Sequence, residues 1–256
     1  MAQGARHQDR GGPLTAQDLA VQTRPATALV MINPNTSEAV TQEILALARL
    51  CAPPSVHITA LTARSGAALI LDPESLRHAA SLILALVPLM PPCDGAIVAG
   101  FGDPGCDELR DCLDMPVTGF GEASFEAAYR NALPCAVITT TPALVGSIRQ
   151  QAQAHSVGPL FCGVFTPDTC DPATLMADPV QTQQALATLI DTARAAGAQQ
   201  IIVGRGPLAG AARVLATEGV VPVIDPVSAA VALALERAGT APLCSAIQQE
   251  SEWKTR

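Results

Sequence analysis

Aromatic residues are scarce in this chain, with five Phe, one Tyr and one Trp among 256 residues. A core must therefore be built from Ala, Val, Leu and Ile, side chains that suit close packing of helices on a sheet. Basic charge is also in short supply. Lys plus Arg number 15 against 23 Asp plus Glu, and no basic stripe with interleaved aromatics occurs. That excludes nucleic acid as an expected partner. No apolar run approaches the roughly twenty residues of a membrane span; the longest, 81–90, is stopped by Pro91-Pro92. The polar first 25 residues lack an apolar signal core and read as a flexible tail. The eight cysteines are scattered, with no CxxC or other metal-ligand spacing, and only four histidines accompany them. Neither a metal nor a cofactor is expected. The thiols read as reduced, mostly small buried hydrophobes of a cytoplasmic protein.

What is present is a regular alternation of short apolar runs and amphipathic segments. The β-branched run 27–32 reads as a buried strand ending in Asn33-Pro34-Asn35-Thr36-Ser37, with Ser37 as N-cap of a helix to about Leu50. A strand over 56–61 and a helix over 76–87, opened by Asp72-Pro73, follow. The stretch 96–123 then reads as strand, glycine turn, helix to about Leu113, short strand and a second glycine turn. Asp103, in Gly102-Asp103-Pro104-Gly105, reads as a turn-former, and Glu122 as the cap of a helix over 124–131. Beyond it come strands over 135–138, 160–165, 200–203 and 221–224. Helices are expected over 143–154, 178–196, 209–218 and 228–238.

This order repeats. Ile97 and Ile202 lie 105 residues apart; Asp72 and Asp178, Pro116 and Pro222, and Ile32 and Ile138 each lie 106 apart. Four registered matches predict two similar α/β halves packed about a pseudo-twofold axis, their strand ends facing each other across a cleft. The first lobe is expected over 26–122, with the helix 228–238 packing back on it. The second is expected over 123–227, followed by a loose tail over 239–256.

Ligands of open α/β sheets sit outside the carboxyl ends of the strands. The strand-end residues Asn35, Ser37, Gly100, Phe101, Thr139, Thr140, Arg205, Gly206 and Pro207 are therefore the candidate binding set. Hydroxyls, amides and strand-end N–H groups suit carboxylate, carbonyl or ureido oxygens, and Arg205 adds a bidentate carboxylate contact. Helix capping alone is the competing reading for Asn35, Ser37 and the threonines, and a surface cation for Arg205. The partner is a small molecule; homo-oligomers are common for clefts of this kind.

The segments MINPNTSEAVTQEI, VAGFGDPGCDELR, MPVTGFGEASFEAA, VITTTPALVGSI, IIVGRGPLAGAARVL and PVIDPVSAAV, spread in order over 28–238, resemble the hydantoin racemase branch of the Asp/Glu/hydantoin racemase superfamily. The resemblance implies two flavodoxin- or Rossmann-like lobes with parallel sheets and the site between them. It also implies cofactor-independent chemistry at an acidic carbon of an amino-acid derivative or cyclic ureide. In that family two cysteines act from opposite faces of the carbon, one as thiolate base and one as thiol acid. The matching positions here are Gly100 and Arg205, the pair that the internal repeat also brings into register. Cys106, in the first turn of the following helix, is a weak candidate for a replacement thiol. Three readings stay open: an isomerase using other groups, a hydrolase or lyase on a carboxylated or ureido substrate, and a non-catalytic binding protein.

Overall fold

The structure, a computed structural model, describes residues 27–155, 157–167, 178–204 and 221–239. The expected tails, the helix over 209–218, and Arg205, Gly206 and Pro207 lie outside the described residues.

The first sheet has strands β1 (Thr27–Asn33), β2 (Val56–Thr62), β3 (Gly95–Val98) and β4 (Val117–Gly119), all parallel, in the order β2-β1-β3-β4. The second has β5 (Cys135–Ile138), β6 (Phe161–Phe165), β7 (Gln200–Val203) and β8 (Val223–Ile224), again parallel, in the order β6-β5-β7-β8. Strand for strand the two orders are the same, the topology that the registered repeat predicts.

The helices are α1 (Glu38–Cys51), α2 (Pro73–Ile83), α3 (Cys106–Cys112), α4 (Phe120–Asn131), α5 (Val145–Ala154), α6 (Pro179–Ala195) and α7 (Pro226–Arg237). Their starts follow local chemistry. Ser37 Oγ accepts from Val40 N. Asp72, Asp178 and Asp225 each cap a helix whose first residue is proline, a residue with no N–H to leave unsatisfied there. α2 is shorter than its apolar spacing predicts. It tightens into a 3₁₀ turn over Leu84–Leu89, which contains Pro88.

Alternation along the strands feeds both faces of each sheet. In β1, Leu29 and Met31 pack with Ile44 of α1, Phe120 of α4 and Val231 of α7. Val30 and Ile32 point the other way, to Ile83, Leu86 and Leu109. In β5, Val137 joins Phe125 and Ile148, while Ala136 and Ile138 join Leu186 and Ile190 of α6. Parallel strands buried on both faces read as continuous apolar runs, which is why they were legible.

Two helices tie the lobes together. α4 puts Phe120 and Ala123 into the first lobe's core and Phe125 and Ala128 into the second's. α7, last in the described chain, packs Val227, Ala230 and Val231 into the first lobe. Glu122 locks these helices to the sheet. Its carboxylate accepts from Arg110 Nη2 at 2.6 Å and from Arg237 Nη2 at 2.6 Å, and Arg237 Nη1 also donates to Val117 O at 3.1 Å. Burial pushes the Glu122 carboxyl up, but the two guanidiniums outweigh it and hold it below the usual range. Its stabilisation is therefore present above the ordinary glutamate pKa and lost as pH falls below it. Glu122→Gln is expected to cost about 1–2 kcal/mol, a fall of roughly 2–8 °C in Tm at neutral pH. A variant melting within a degree of wild type would show that the arginines find other partners.

Candidate active site

The carboxyl ends of both sheets meet at one cleft. From the first lobe it is lined by Pro34 and Asn35 after β1, Ala99, Gly100 and Phe101 after β3, Val40 of α1, and Leu69 and Ile70 of the loop 63–72. From the second it is lined by Thr141 and Leu144 after β5 and Gly204 after β7. The space enclosed is about 50 Å³, room for a few water-sized groups.

Asn33 and Asn35 build the first wall by hydrogen-bonding each other. Asn33 Nδ2 donates to Asn35 Oδ1 at 3.0 Å, and Asn35 N donates to Asn33 Oδ1 at 3.2 Å. Ser37 N also donates to Asn35 Oδ1, at 2.9 Å. The acceptor end of the Asn35 amide is therefore used, while its Nδ2 has no partner among the described residues. Opposite stands Thr141, only 2% exposed, whose N–H donates to Thr139 Oγ1 and whose carbonyl accepts from Leu144 N. The Thr141 hydroxyl has no partner among the described residues. Asn35 and Thr141 thus line the cleft from opposite lobes.

Gly100, also in the lining, has no room for a side chain. A Cβ added there would stand 2.7 Å from Pro34 Cγ and 3.3 Å from Pro104 Cδ. The turn below is closed by Asp103 N donating to Gly100 O at 3.0 Å, and Asp103 adopts a left-handed backbone, φ +52°.

Asp103 is more than a turn-former. Its carboxylate accepts from Gly121 N, Glu122 N and Gln151 Nε2, each at 2.7 Å. It caps α4 from eighteen residues away and ties the Gly100 turn to α5 of the second lobe. This cap explains why α4 starts at Phe120 rather than near Ser124. Glu122 serves as the third residue of that helix, with its side chain reaching back to Gly119 N at 3.4 Å. Burial pushes the Asp103 carboxyl up to about 7, against the pull of the two backbone N–H groups.

Of the candidates named from the sequence, the structure brings Asn35, Gly100 and Phe101 to the cleft. Arg205 follows the lining residue Gly204 in the chain, and it, Gly206 and Pro207 are outside the described residues. Ser37 is an N-cap. Thr139, Thr140 and Thr141 are all buried; Thr139 Oγ1 donates to Gly204 O at 3.5 Å, and of the three Thr141 lines the cleft. Cys106 is packed among apolar residues including Ile83, Leu109 and Val117. Burial, with the Asp103 carboxylate next in weight, pushes its thiol well above the ordinary cysteine range, the setting of an inert packing thiol. Leu69, Ile70 and Leu144 were missed. The signal for the first two was an apolar pair in a loop with neither helical nor strand spacing.

Two parallel sheets in the same strand order, with one cleft at their facing ends, agree with what the sequence motifs imply. Residues 29–234 match the family model described as Asp/Glu/Hydantoin racemase. The chain belongs to the Asp/Glu/hydantoin racemase family. It is 28% identical over 209 residues to the hydantoin racemase of Paenarthrobacter aurescens, covering 79% of this chain and 87% of the relative. Among solved structures, the allantoin racemase from Klebsiella pneumoniae is 29% identical with a TM-score of 0.75, over 85% of this chain and 90% of that one. The allantoin racemase from Pseudomonas fluorescens is 28% identical with a TM-score of 0.77, over 86% and 94%. As a member of this family the chain has a racemase fold with no helix, among the described residues, long and apolar enough to cross a membrane.

Proposed function

We propose that this racemase-family chain takes a small amino-acid derivative or cyclic ureide into the inter-lobe cleft and acts on it as an isomerase-class protein without a cofactor, by chemistry that does not pass through a pair of thiols. The observation that carries the binding half is the convergence of Asn35, Gly100 and Phe101 with Thr141 and Gly204 at the facing strand ends. Relatives that cover most of the chain are named for racemisation of hydantoin and allantoin, both cyclic ureides. Racemisation of such a ring removes and returns a proton at a carbon beside a carbonyl. An N–H and a hydroxyl from opposite walls suit the oxygen on which the negative charge of the deprotonated ring gathers.

The second half rests on what stands at the two positions that the resemblance gives to thiols. Gly100 has no side chain, and Arg205 stays protonated at working pH. None of the described lining residues carries a carboxylate, imidazole or thiol. Arg205 serves in this reading as an anchor for a substrate carboxylate or ureide oxygen. The same observation favours a second reading, in which the cleft keeps its ligand class but performs a hydrolytic or lyase reaction, or only binds.

The test is incubation of the pure protein with one enantiomer of a 5-substituted hydantoin or allantoin in deuterated water. A rise in Tm on binding is expected, smaller in Arg205→Ala, together with slow solvent exchange at the acidic carbon, above the protein-free rate but small. Rapid exchange would overturn the claim about the thiols; absence of any binding would overturn the ligand class. Slow isomerisation with no C–N or C–C bond broken separates the main reading from cleavage, which product analysis reveals.

A further inference from the structure

Two glycines at the start of α4 leave room for two polar side chains. A Cβ on Gly119 would overlap the Asp103 carboxyl group, and one on Gly121 would stand 2.5 Å from Gln151 Nε2. Gly119 has an ordinary φ of −92°, so space rather than backbone freedom calls for the glycine. In this slot the Asp103 carboxylate meets three donors, Gly121 N, Glu122 N and Gln151 Nε2. The other end of the same amide, Gln151 Oε1, is buried with no partner among the described residues.

The slot connects elements of both cleft walls. Asp103 N donates to Gly100 O, so the carboxylate hangs from the turn whose Gly100 and Phe101 line the cleft. Gln151 belongs to α5, which follows directly on the 3₁₀ turn Pro142–Leu144. Thr141 and Leu144, at the two ends of that turn, line the cleft from the second lobe. The charges that act on Asp103 are Arg110 of α3 and Glu122 of α4, and the Cys106 thiol of α3 feels its carboxylate. α2 meets the turn through Leu76 and Ile83, and α5 meets it through the neutral Gln151 amide.

Three donors suit an ionised carboxylate. A protonated carboxyl has a proton to give, and a half-turn of the Gln151 amide would bring Oε1 to receive it. A separation of 2.7 Å suits an O–H···O bond as well as an N–H···O⁻ one. We propose that Asp103 and Gln151 are positioning residues that hold the two cleft walls together, and that the Gln151 amide reverses its hydrogen bond when Asp103 gains a proton. Burial pushes this carboxyl up to about 7, so both forms are populated near neutral pH.

The experiment follows NMR resonances of the isotope-labelled full chain between about pH 5.5 and 8.5, a range that brackets the transition. In wild type the Gln151 side-chain amide and the backbone amides of Gly121 and Glu122 are expected to titrate together, and those of Gly100, Phe101, Thr141 and Leu144 to follow with the same midpoint. Asp103→Asn is expected to abolish this common transition, although His155 at the end of α5 remains. In Gln151→Met, Gly121, Glu122, Gly100 and Phe101 are expected to keep it, while Thr141 and Leu144 lose it. Gln151→Asn, an amide too short to reach, is expected to do the same. A purely structural bond would lower Tm in these variants without moving the titration of the second wall. Thr141 and Leu144 resonances that stay still in wild type, or that titrate unchanged in both Gln151 variants, overturn the proposal. A ligand arm rests on the ligand class proposed above. With allantoin as probe, the dissociation constant is expected to follow the same midpoint in wild type and to lose that dependence in Gln151→Met. A flat affinity in wild type overturns the bearing of this bond on ligands. No binding overturns the ligand class, while the resonances, which need no ligand, still decide the positioning role.

Discussion

Asp103→Ala is expected to lower stability by about 3 kcal/mol, a fall of roughly 6–12 °C in Tm for a chain of this size. Three losses combine. The first two N–H groups that Asp103 satisfies, on Gly121 and Glu122, belong to the start of α4, and loss of such a cap costs about 1 kcal/mol. The third donor, Gln151 Nε2, is left without its acceptor, and Gln151 Oε1 is already buried with no partner among the described residues. An unsatisfied buried amide adds about 1–3 kcal/mol. Asp103→Asn keeps one acceptor oxygen and tolerates the left-handed backbone, so it is expected to lose about half as much. An alanine variant melting within about 2 °C of wild type would show that the carboxylate is not the cap it looks to be.

The same residue sets a pH dependence. The Asp103 carboxyl moves from an ordinary value of 3.8 to about 7, with burial the largest cause. A raised carboxyl pKa means that the folded chain holds the proton more tightly than the unfolded one. Its contribution to stability is full below about pH 4 and is lost as pH rises to about 7. Chemical denaturation between pH 4.5 and 7.5 should show this slope in wild type and lose it in Asp103→Asn. The charged neighbours Glu122 and Arg110 remain in both proteins, so the difference isolates the one carboxyl.

Gly100→Ala is expected to cost about 1–3 kcal/mol and to weaken ligand uptake. The glycine is required for space, since the added Cβ would meet the Pro34 ring at 2.7 Å and Pro104 at 3.3 Å. Both neighbours are stiff rings, and Pro34 is buried. Gly100→Cys meets the same obstacle, so placing a thiol there requires Pro34 to move first. Adding Pro34→Ala is expected to recover about 1 kcal/mol or more of the loss, a coupling that a double-mutant cycle reads directly. Equal stability of Gly100→Ala and wild type, or strict additivity with Pro34→Ala, would remove the steric account of this position.

The sequence by itself determined the two-lobed parallel architecture, because strands buried on both faces and Asp-Pro helix starts are local signals repeated in register. Asn35, Gly100 and Phe101, which line the cleft, were also legible, since strand-end turns carry their own glycine, proline and asparagine marks. Only the tertiary structure decided the rest. Thr139, Thr140 and Thr141 are indistinguishable as a run of hydroxyls; all three are buried, and Thr141 is the one that lines the cleft. Asp103 caps a helix eighteen residues away and reaches α5 beyond it, a partnership no local pattern encodes. Leu69 and Ile70 had neither period that marks an element; they line the cleft in a loop that backbone bonds tie to the end of β1.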